Sequence, residues 1–296
     1  MEQNNETVQT SGQEENTDRF HRLPSEPGSV INGGIMTTQR ETVIVDLSAD
    51  QGTIRPIHGV NNGPMAMGGI VDLAPFHKEL RFPSMRLHDS EWPNPTVVDV
   101  PAIFPDFGAD PENPASYRFE KTDDYLAPIM ELGAEFVYGL GPSIEHTKRK
   151  YYVHPPADFR KWADICVHII RHYNARWAGG FAWNIRYWEI RNEPDLGDPM
   201  WSGTDKDYFR LYATAARAIK DHDPNLRVGG PAATYPTYPF IVEFLDTCRS
   251  GNVPLDFCSI SARGTPTPPT RTRYGTGART SGSCWTSAGS TRSRAI

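Results

Sequence analysis

The 296-residue sequence predicts an α/β fold, an incomplete (β/α)8 TIM barrel with about six βα units. Strand-like runs alternate with runs of helical 3.6-residue spacing at roughly regular intervals, which is typical of parallel βα units. Polar side chains fall where predicted strands end, and barrels place their chemistry there. A doubly wound open sheet is the alternative, but a nucleotide-binding version needs a Gly-rich fingerprint after its first strand. The segment 58–63, HGVNNG, is not one, so the barrel is favoured.

The predicted strands are β-branched or aromatic runs that stop at glycine, proline or polar residues. They are Glu41–Leu47, Thr53–Val60, Ser84–His88, Glu135–Leu140, Ile185–Ile190, Leu226–Gly230 and Leu255–Cys258.

The predicted helices carry apolar residues on one face at the helical period. They are Val71–Leu80, Thr122–Leu132, Asp158–Tyr173, Asp205–Asp221 and Phe240–Cys248. Gly133 stands where a C-terminal cap belongs. A Pro- and Asn-rich stretch, Asp89–Ser116, is predicted to be a loop.

Composition divides the chain into three predicted segments. Residues 1–38 are polar and poor in apolar anchors, so a disordered tail is expected. Residues 39–259 form the partial barrel domain. Residues 260–296 are rich in Thr, Ser, Arg, Gly and Pro and hold no Asp, Glu, Lys, Leu, Val, Phe or Met. We therefore expect this last segment to be disordered and to supply no strand, helix or core face.

Charge and motifs argue against several classes of function. A net charge of −6 gives no basis for binding nucleic acid or anionic membranes. No apolar run is long enough to span a bilayer, and no secretory signal opens the chain, so a cytoplasmic location is expected. The four cysteines form no CxxC pair, and His168 and His172 lack a further ligand nearby in sequence. Neither a metal nor a cofactor is predicted, and the sequence does not indicate an oligomeric state.

The candidate for chemistry is Asn192-Glu193-Pro194, which ends the aromatic strand that begins at Ile185. Partly dry surroundings are expected to raise the pKa of the Glu193 carboxyl. Pro194 is expected to restrict Glu193 to extended backbone, and Asn192 offers a donor and an acceptor beside it. A protonated acid next to an amide that can hold a hydroxyl is what cleavage of a glycosidic bond requires. The alternative is an exposed loop glutamate.

Longer motifs around this triplet carry a family resemblance. The stretch WEIRNEPDLGDPMW followed by DYFRLYATAARAIKDHDPNLRVGGPA resembles glycoside hydrolase family 39, which contains β-xylosidases and α-L-iduronidases. MRLHD at the second strand and PPADFRKWADICVHIIRHYN extend the resemblance, which runs from about Val43 to Cys258. It implies a retaining glycosidase of the β-xylosidase type with a carbohydrate substrate. A non-catalytic carbohydrate-binding protein and an endoglycanase of the same clan are the alternatives.

The resemblance also implies roles for individual residues. Glu193 matches the general acid/base, and Asn192 matches the residue that binds the 2-hydroxyl of the sugar. Arg86 and His88 match positions that line the sugar subsite, although a buried structural ion pair is an alternative for Arg86. Trp201 is either a stacking platform for a sugar or a residue that packs the loop.

The catalytic nucleophile has no counterpart in this sequence. Retaining glycosidases need a second carboxyl group roughly 5 Å from the first, and the resemblance places it at the end of a seventh strand. The last carboxylate here is Asp256. We interpret residues 260–296 as a shifted reading frame or a gene-model error, the alternative being a natural disordered basic tail. An open barrel without the nucleophile is expected to have negligible activity.

Overall fold

The computed structural model describes residues 52–53, 56–66, 71–88, 96–145, 147–234, 238–261 and 286–287. All of these except 52–53 belong to one compact unit, residues 54–296. The predicted N-terminal tail and the predicted strand Glu41–Leu47 lie outside the described residues, as does most of 260–296.

The described strands form one large sheet and one small pair. In chain order they are β1 (Val60–Asn61), β2 (Met65–Ala66), β3 (Val71–Asp72), β4 (Ser84–Leu87), β5 (Glu135–Leu140), β6 (Tyr187–Ile190), β7 (Arg227–Ala233), β8 (Phe257–Ile260) and β9 (Thr286–Ser287). Strands β1, β4, β5, β6, β7 and β8 lie side by side in this order, each parallel to the next. Strands β2 and β3 form a separate antiparallel pair.

Helices follow most of the parallel strands. They are α1 (Ala74–Leu80), α2 (Val100–Ile103), α3 (Glu120–Glu131), α4 (Phe159–Ala175), α5 (Asp205–His222) and α6 (Tyr238–Ser250). Asp158 caps α4 by accepting hydrogen bonds from the N–H groups of Arg160 and Lys161. Gly133 has φ +67° just after α3, as a glycine cap should.

The two faces of the sheet have different surroundings. Since side chains alternate along a strand, one set packs under the helices and the other faces the barrel interior. The helix-facing set is apolar and fully buried; it includes Tyr138, Leu140, Trp188, Ile190 and Val228. Arg86, Gly139 and Glu189 alternate with this set and face the interior. This architecture is an incomplete (β/α)8 barrel, and the predicted fold class is confirmed.

Several local features differ from prediction. The predicted helix Val71–Leu80 begins only at Ala74, because Val71–Asp72 form strand β3. Of the predicted strand Thr53–Val60, the described residues before Val60 are not in a strand. Helix α2 and a 3₁₀ turn at Pro114–Ser116 interrupt the predicted loop. Thr286–Ser287 pairs antiparallel with β8, although its segment was expected to supply no strand. Among the described residues, no helix has the length and apolar character needed to cross a bilayer.

Candidate active site

Asn192 and Glu193 follow β6, the fourth of the six parallel strands. Their exposed fractions are only 4% and 7%. The backbone N–H of Arg191 donates to the carbonyl oxygen of Leu140 at 2.8 Å, and that of Glu193 donates to the carbonyl oxygen of Ala232 at 3.1 Å. The pair is therefore fixed between the carboxyl ends of β5 and β7, and it is not an exposed loop segment.

The backbone of Glu193 is left-handed, with φ 47° and ψ 49°. The expectation that Pro194 would hold Glu193 in extended conformation is wrong. Two hydrogen bonds override it: the bond to Ala232, and one in which the Glu193 carbonyl accepts from the N–H of Leu196 at 3.1 Å. Arg191 is also left-handed, with φ 61°. Such strain costs roughly 1–3 kcal/mol per non-glycine residue, and strained residues cluster at functional sites.

Arg86 on β4 joins two residues of the β6 end. Its Nε donates to Glu189 Oε2 at 2.9 Å, and its Nη2 lies 2.7 Å from the same oxygen. Nη2 also donates to Asn192 Oδ1 at 2.6 Å. Arg86 therefore makes the structural ion pair that was the alternative to a role in the sugar subsite. Its side chain is still about one-fifth exposed.

A cavity adjoins this network at the carboxyl ends of β4, β5 and β6. The cavity is small. Its lining includes Arg86, His88, Asp99, Gly139, Glu189 and Asn192. The backbone of His88 is held by Asn62, whose Oδ1 accepts from the His88 N–H at 3.2 Å. The predicted residues Arg86, His88 and Asn192 are therefore brought together around one cavity, whose lining does not include Glu193.

Arg191 anchors the loop that follows Glu193. Its guanidinium donates to the carbonyl oxygens of Met200 at 3.0 Å and Tyr152 at 3.2 Å. It lies 4.6 Å from the centroid of the Trp201 ring. Burial lowers the pKa of the guanidinium to about 10 from 12.5, although nearby Asp99 opposes that shift. A cation buried in this way stabilises the loop only because its donors are matched by acceptors.

Trp201 is 1% exposed. The Arg191 guanidinium lies over its ring, and the Tyr208 ring packs against it in a T-shaped arrangement with 6.2 Å between ring centroids. The Trp201 Nε1 donates to the carbonyl oxygen of Thr204 at 3.0 Å. Its burial and these contacts are those of the packing alternative, in which Trp201 holds the loop.

Sequence reasoning missed Glu189, Arg191 and Asp99. Asp99 accepts hydrogen bonds from both the N–H and the Oγ of Ser143 at 2.7 Å, which joins α2 to the loop after β5. A signal for Glu189 was available, since a charged residue between Trp188 and Ile190 in an apolar strand requires a buried partner.

The paired helix histidines, His168 and His172, have structural partners. His172 contacts Asp123 at 3.1 Å and the carbonyl oxygen of Trp177 at 3.0 Å. His168 contacts the carbonyl oxygen of Asp164 at 2.8 Å. Within the part of the chain that the structure describes, no cluster of three His, Cys, Asp or Glu residues could hold a metal ion.

Fold and site together place the chain among (β/α)8-barrel proteins with an amide and a carboxylate at the end of the fourth strand. The sequence profile of the glycosyl hydrolases family 39 matches residues 97–271, more than half of the chain. The chain belongs to this family.

Individual relatives agree with this assignment. A β-xylosidase from Geobacillus stearothermophilus is 38% identical over 157 residues, which is 51% of this chain and 30% of the relative. One from Caldicellulosiruptor saccharolyticus is 34% identical over 154 residues, 49% of this chain and 30% of the relative. The chain thus spans less than a third of the length of these curated relatives.

Solved structures show the same fold. A glucosidase from Croceicoccus marinus superposes with a TM-score of 0.61 and 32% identity, covering 70% of this chain and 44% of the other. A family 39 β-xylosidase from Caulobacter crescentus superposes with a TM-score of 0.51 and 24% identity, covering 68% of this chain and 45% of the other.

Proposed function

We propose that the chain carries the acid/base half of a retaining, β-xylosidase-like glycoside hydrolase site, with a carbohydrate as its substrate. One observation carries the proposal. In a family 39 chain, Asn192 and Glu193 are buried and pinned at the carboxyl end of the fourth barrel strand. The two β-xylosidases that match half of the chain support the choice of sugar.

In this proposal Glu193 acts twice. Its carboxyl group protonates the departing glycosidic oxygen and later removes a proton from the attacking water. The two tethers of the Glu193 backbone fix where that proton is delivered. Asn192 binds the sugar 2-hydroxyl, and Arg86 and His88 line the subsite that holds the ring.

Carbohydrate binding without hydrolysis is the second candidate, and one observation favours it. The sequence contains no Asp or Glu after Asp256, whereas a retaining mechanism requires a second carboxyl group. A small external nucleophile separates the two candidates. Azide can attack the anomeric carbon while the bond to the leaving oxygen breaks and Glu193 protonates that oxygen, giving a glycosyl azide and a phenol.

The test uses the full chain with two aryl β-D-xylopyranosides. We expect no turnover in buffer alone and azide-dependent turnover of the 4-methylumbelliferyl xyloside, whose leaving group needs a proton. Glu193→Gln should lower that rate roughly 10²- to 10⁴-fold. The same substitution should change the azide-dependent rate on the 2,4-dinitrophenyl xyloside little, because that leaving group departs unprotonated.

The exposed Glu243→Gln serves as the matched control and should leave both rates unchanged. Equal losses on both xylosides would contradict the acid role of Glu193. Sugar binding without any azide-dependent turnover would establish the second candidate.

A further inference from the structure

We infer that Glu189 is a positioning residue: through Arg86 it orients the side-chain amide of Asn192, so that the Nδ2 donors face the cavity. This inference rests on the proposed function, because it concerns the amide assigned to the sugar 2-hydroxyl. It adds a residue to which no sequence motif pointed.

Glu189 is built into the barrel interior. Its side chain is 0% exposed, and a buried carboxylate is stable only with a close cationic partner. That partner is Arg86, on the next strand but one. Gly139, in register with Glu189 on the intervening strand β5, has no side chain on this face. Arg86 reaches across β5 and places both Nε and Nη2 against Glu189 Oε2.

The second contact of Arg86 fixes the amide. Nη2 lies 2.6 Å from the Asn192 side chain. A guanidinium only donates hydrogen bonds, so the atom facing it has to be the oxygen and not the nitrogen. Asn192 Nδ2 then points the other way. It is buried, and it has no hydrogen-bond partner among the described residues.

An unpaired buried amide nitrogen next to a cavity calls for an acceptor. Asn192 lines the cavity described above, so the two N–H donors of Nδ2 can reach an acceptor placed there. A sugar hydroxyl supplies the acceptor. If Arg86 were not held by Glu189, the amide could rotate and present its oxygen instead, and the preference for an accepting hydroxyl would be lost.

The experiment compares two ligands, methyl β-D-xylopyranoside and its 2-deoxy analogue, by NMR titration of the full chain. The wild-type chain should bind the xyloside roughly 3- to 10-fold more tightly, the value of one net hydrogen bond. Asn192→Ala should reduce this ratio, the affinity for the xyloside divided by that for its 2-deoxy analogue, to about one. Glu189→Ala and Arg86→Lys should do the same, because lysine lacks the fork that reaches two acceptors. Combining Glu189→Ala with Asn192→Ala should have no further effect on the ratio.

Two variants separate positioning from general stability. Glu189→Gln keeps an acceptor for Arg86, and Glu189 Oε1, where its new amide nitrogen can lie, has no hydrogen-bond partner among the described residues. It should restore most of the ratio, and it carries the test if Glu189→Ala does not fold. Glu135→Ala is the matched control. It breaks another Glu–Arg pair between strands, to Arg186 at the opposite end of the sheet, and should leave the ratio intact.

The outcomes distinguish this inference from the proposed function. If Asn192→Ala leaves the ratio unchanged, the assigned role of Asn192 is wrong and the inference falls with it. If Asn192→Ala abolishes the ratio but Glu189→Ala and Arg86→Lys weaken both ligands equally, only the inference is overturned. Loss of the ratio in all three variants, with rescue by Glu189→Gln, supports both.

Discussion

Replacing Arg191 by methionine tests how the loop after Glu193 is held. The substitution keeps most of the side-chain length and apolar contact but removes the charge and every donor. The carbonyl groups of Met200 and Tyr152, which accept from the guanidinium at 3.0 and 3.2 Å, then lose that donor.

The size of the effect follows from these contacts. The buried Met200 carbonyl left without its donor costs about 1–3 kcal/mol, whereas the Tyr152 carbonyl belongs to an exposed residue and can turn to water at little cost. The cation–π contact with Trp201 is replaced by a weaker sulfur–aromatic one. Relief of the burial that lowers the pKa of Arg191 to about 10 offsets part of this loss. We expect the free energy of unfolding to fall by about 1–3 kcal/mol.

Urea unfolding followed by tryptophan fluorescence measures the change. Arg186→Met is the matched control, since Arg186 also lies over an aromatic ring, Tyr187 at 5.4 Å, and pairs with Glu135. Its side chain is about half exposed, so its loss should cost less than about 1 kcal/mol. Equal effects of the two substitutions would refute the anchoring role of Arg191.

Two further predictions concern the strands and helix α5. Gly139→Ala would place a Cβ 2.9 Å from the Leu87 carbonyl oxygen, and should lower the free energy of unfolding by about 1–3 kcal/mol; an unchanged urea midpoint would contradict this. In the α5 capping box, hydrogen bonds from Thr204 lower the pKa of the Asp207 carboxyl below 3.8. The stabilisation that the Asp207 carboxylate contributes is therefore fully present above pH 3.8 and is lost as the pH falls through the lowered pKa of that carboxyl. The melting temperature of Asp207→Asn should lie below that of the wild type at neutral pH, and the difference should vanish in acid.

Long periodic segments allowed the fold to be predicted. Strand β5 has the predicted bounds, and the ends of α5 match within one residue. Helix α2 was missed because long-range contacts form it. Its first N–H, at Val100, donates to the carbonyl oxygen of Gly141 at 3.2 Å, and the preceding Asp99 binds Ser143. A local pattern in a proline-rich stretch contains no trace of these partners.

The candidate site was predicted in part. Asn192 and Glu193 follow a strand end, which the sequence shows directly. The pairing of Arg86 with Glu189 joins residues 103 positions apart and depends on the register of both strands against β5. The burial of Trp201 likewise depends on where the Arg191 guanidinium lies, which the sequence alone does not reveal.

The central claim is that a sugar binds at the carboxyl ends of the parallel strands, beside Glu193. Titrating ¹⁵N-labelled chain with methyl β-D-xylopyranoside tests it most directly. The account predicts that the largest shifts occur in the Asn192 side-chain amide and in the backbone amides that end β4 to β7. Shifts confined to the surface cleft at the start of α4, lined by Arg160 and Arg210, or no shifts at the strand ends, would contradict it.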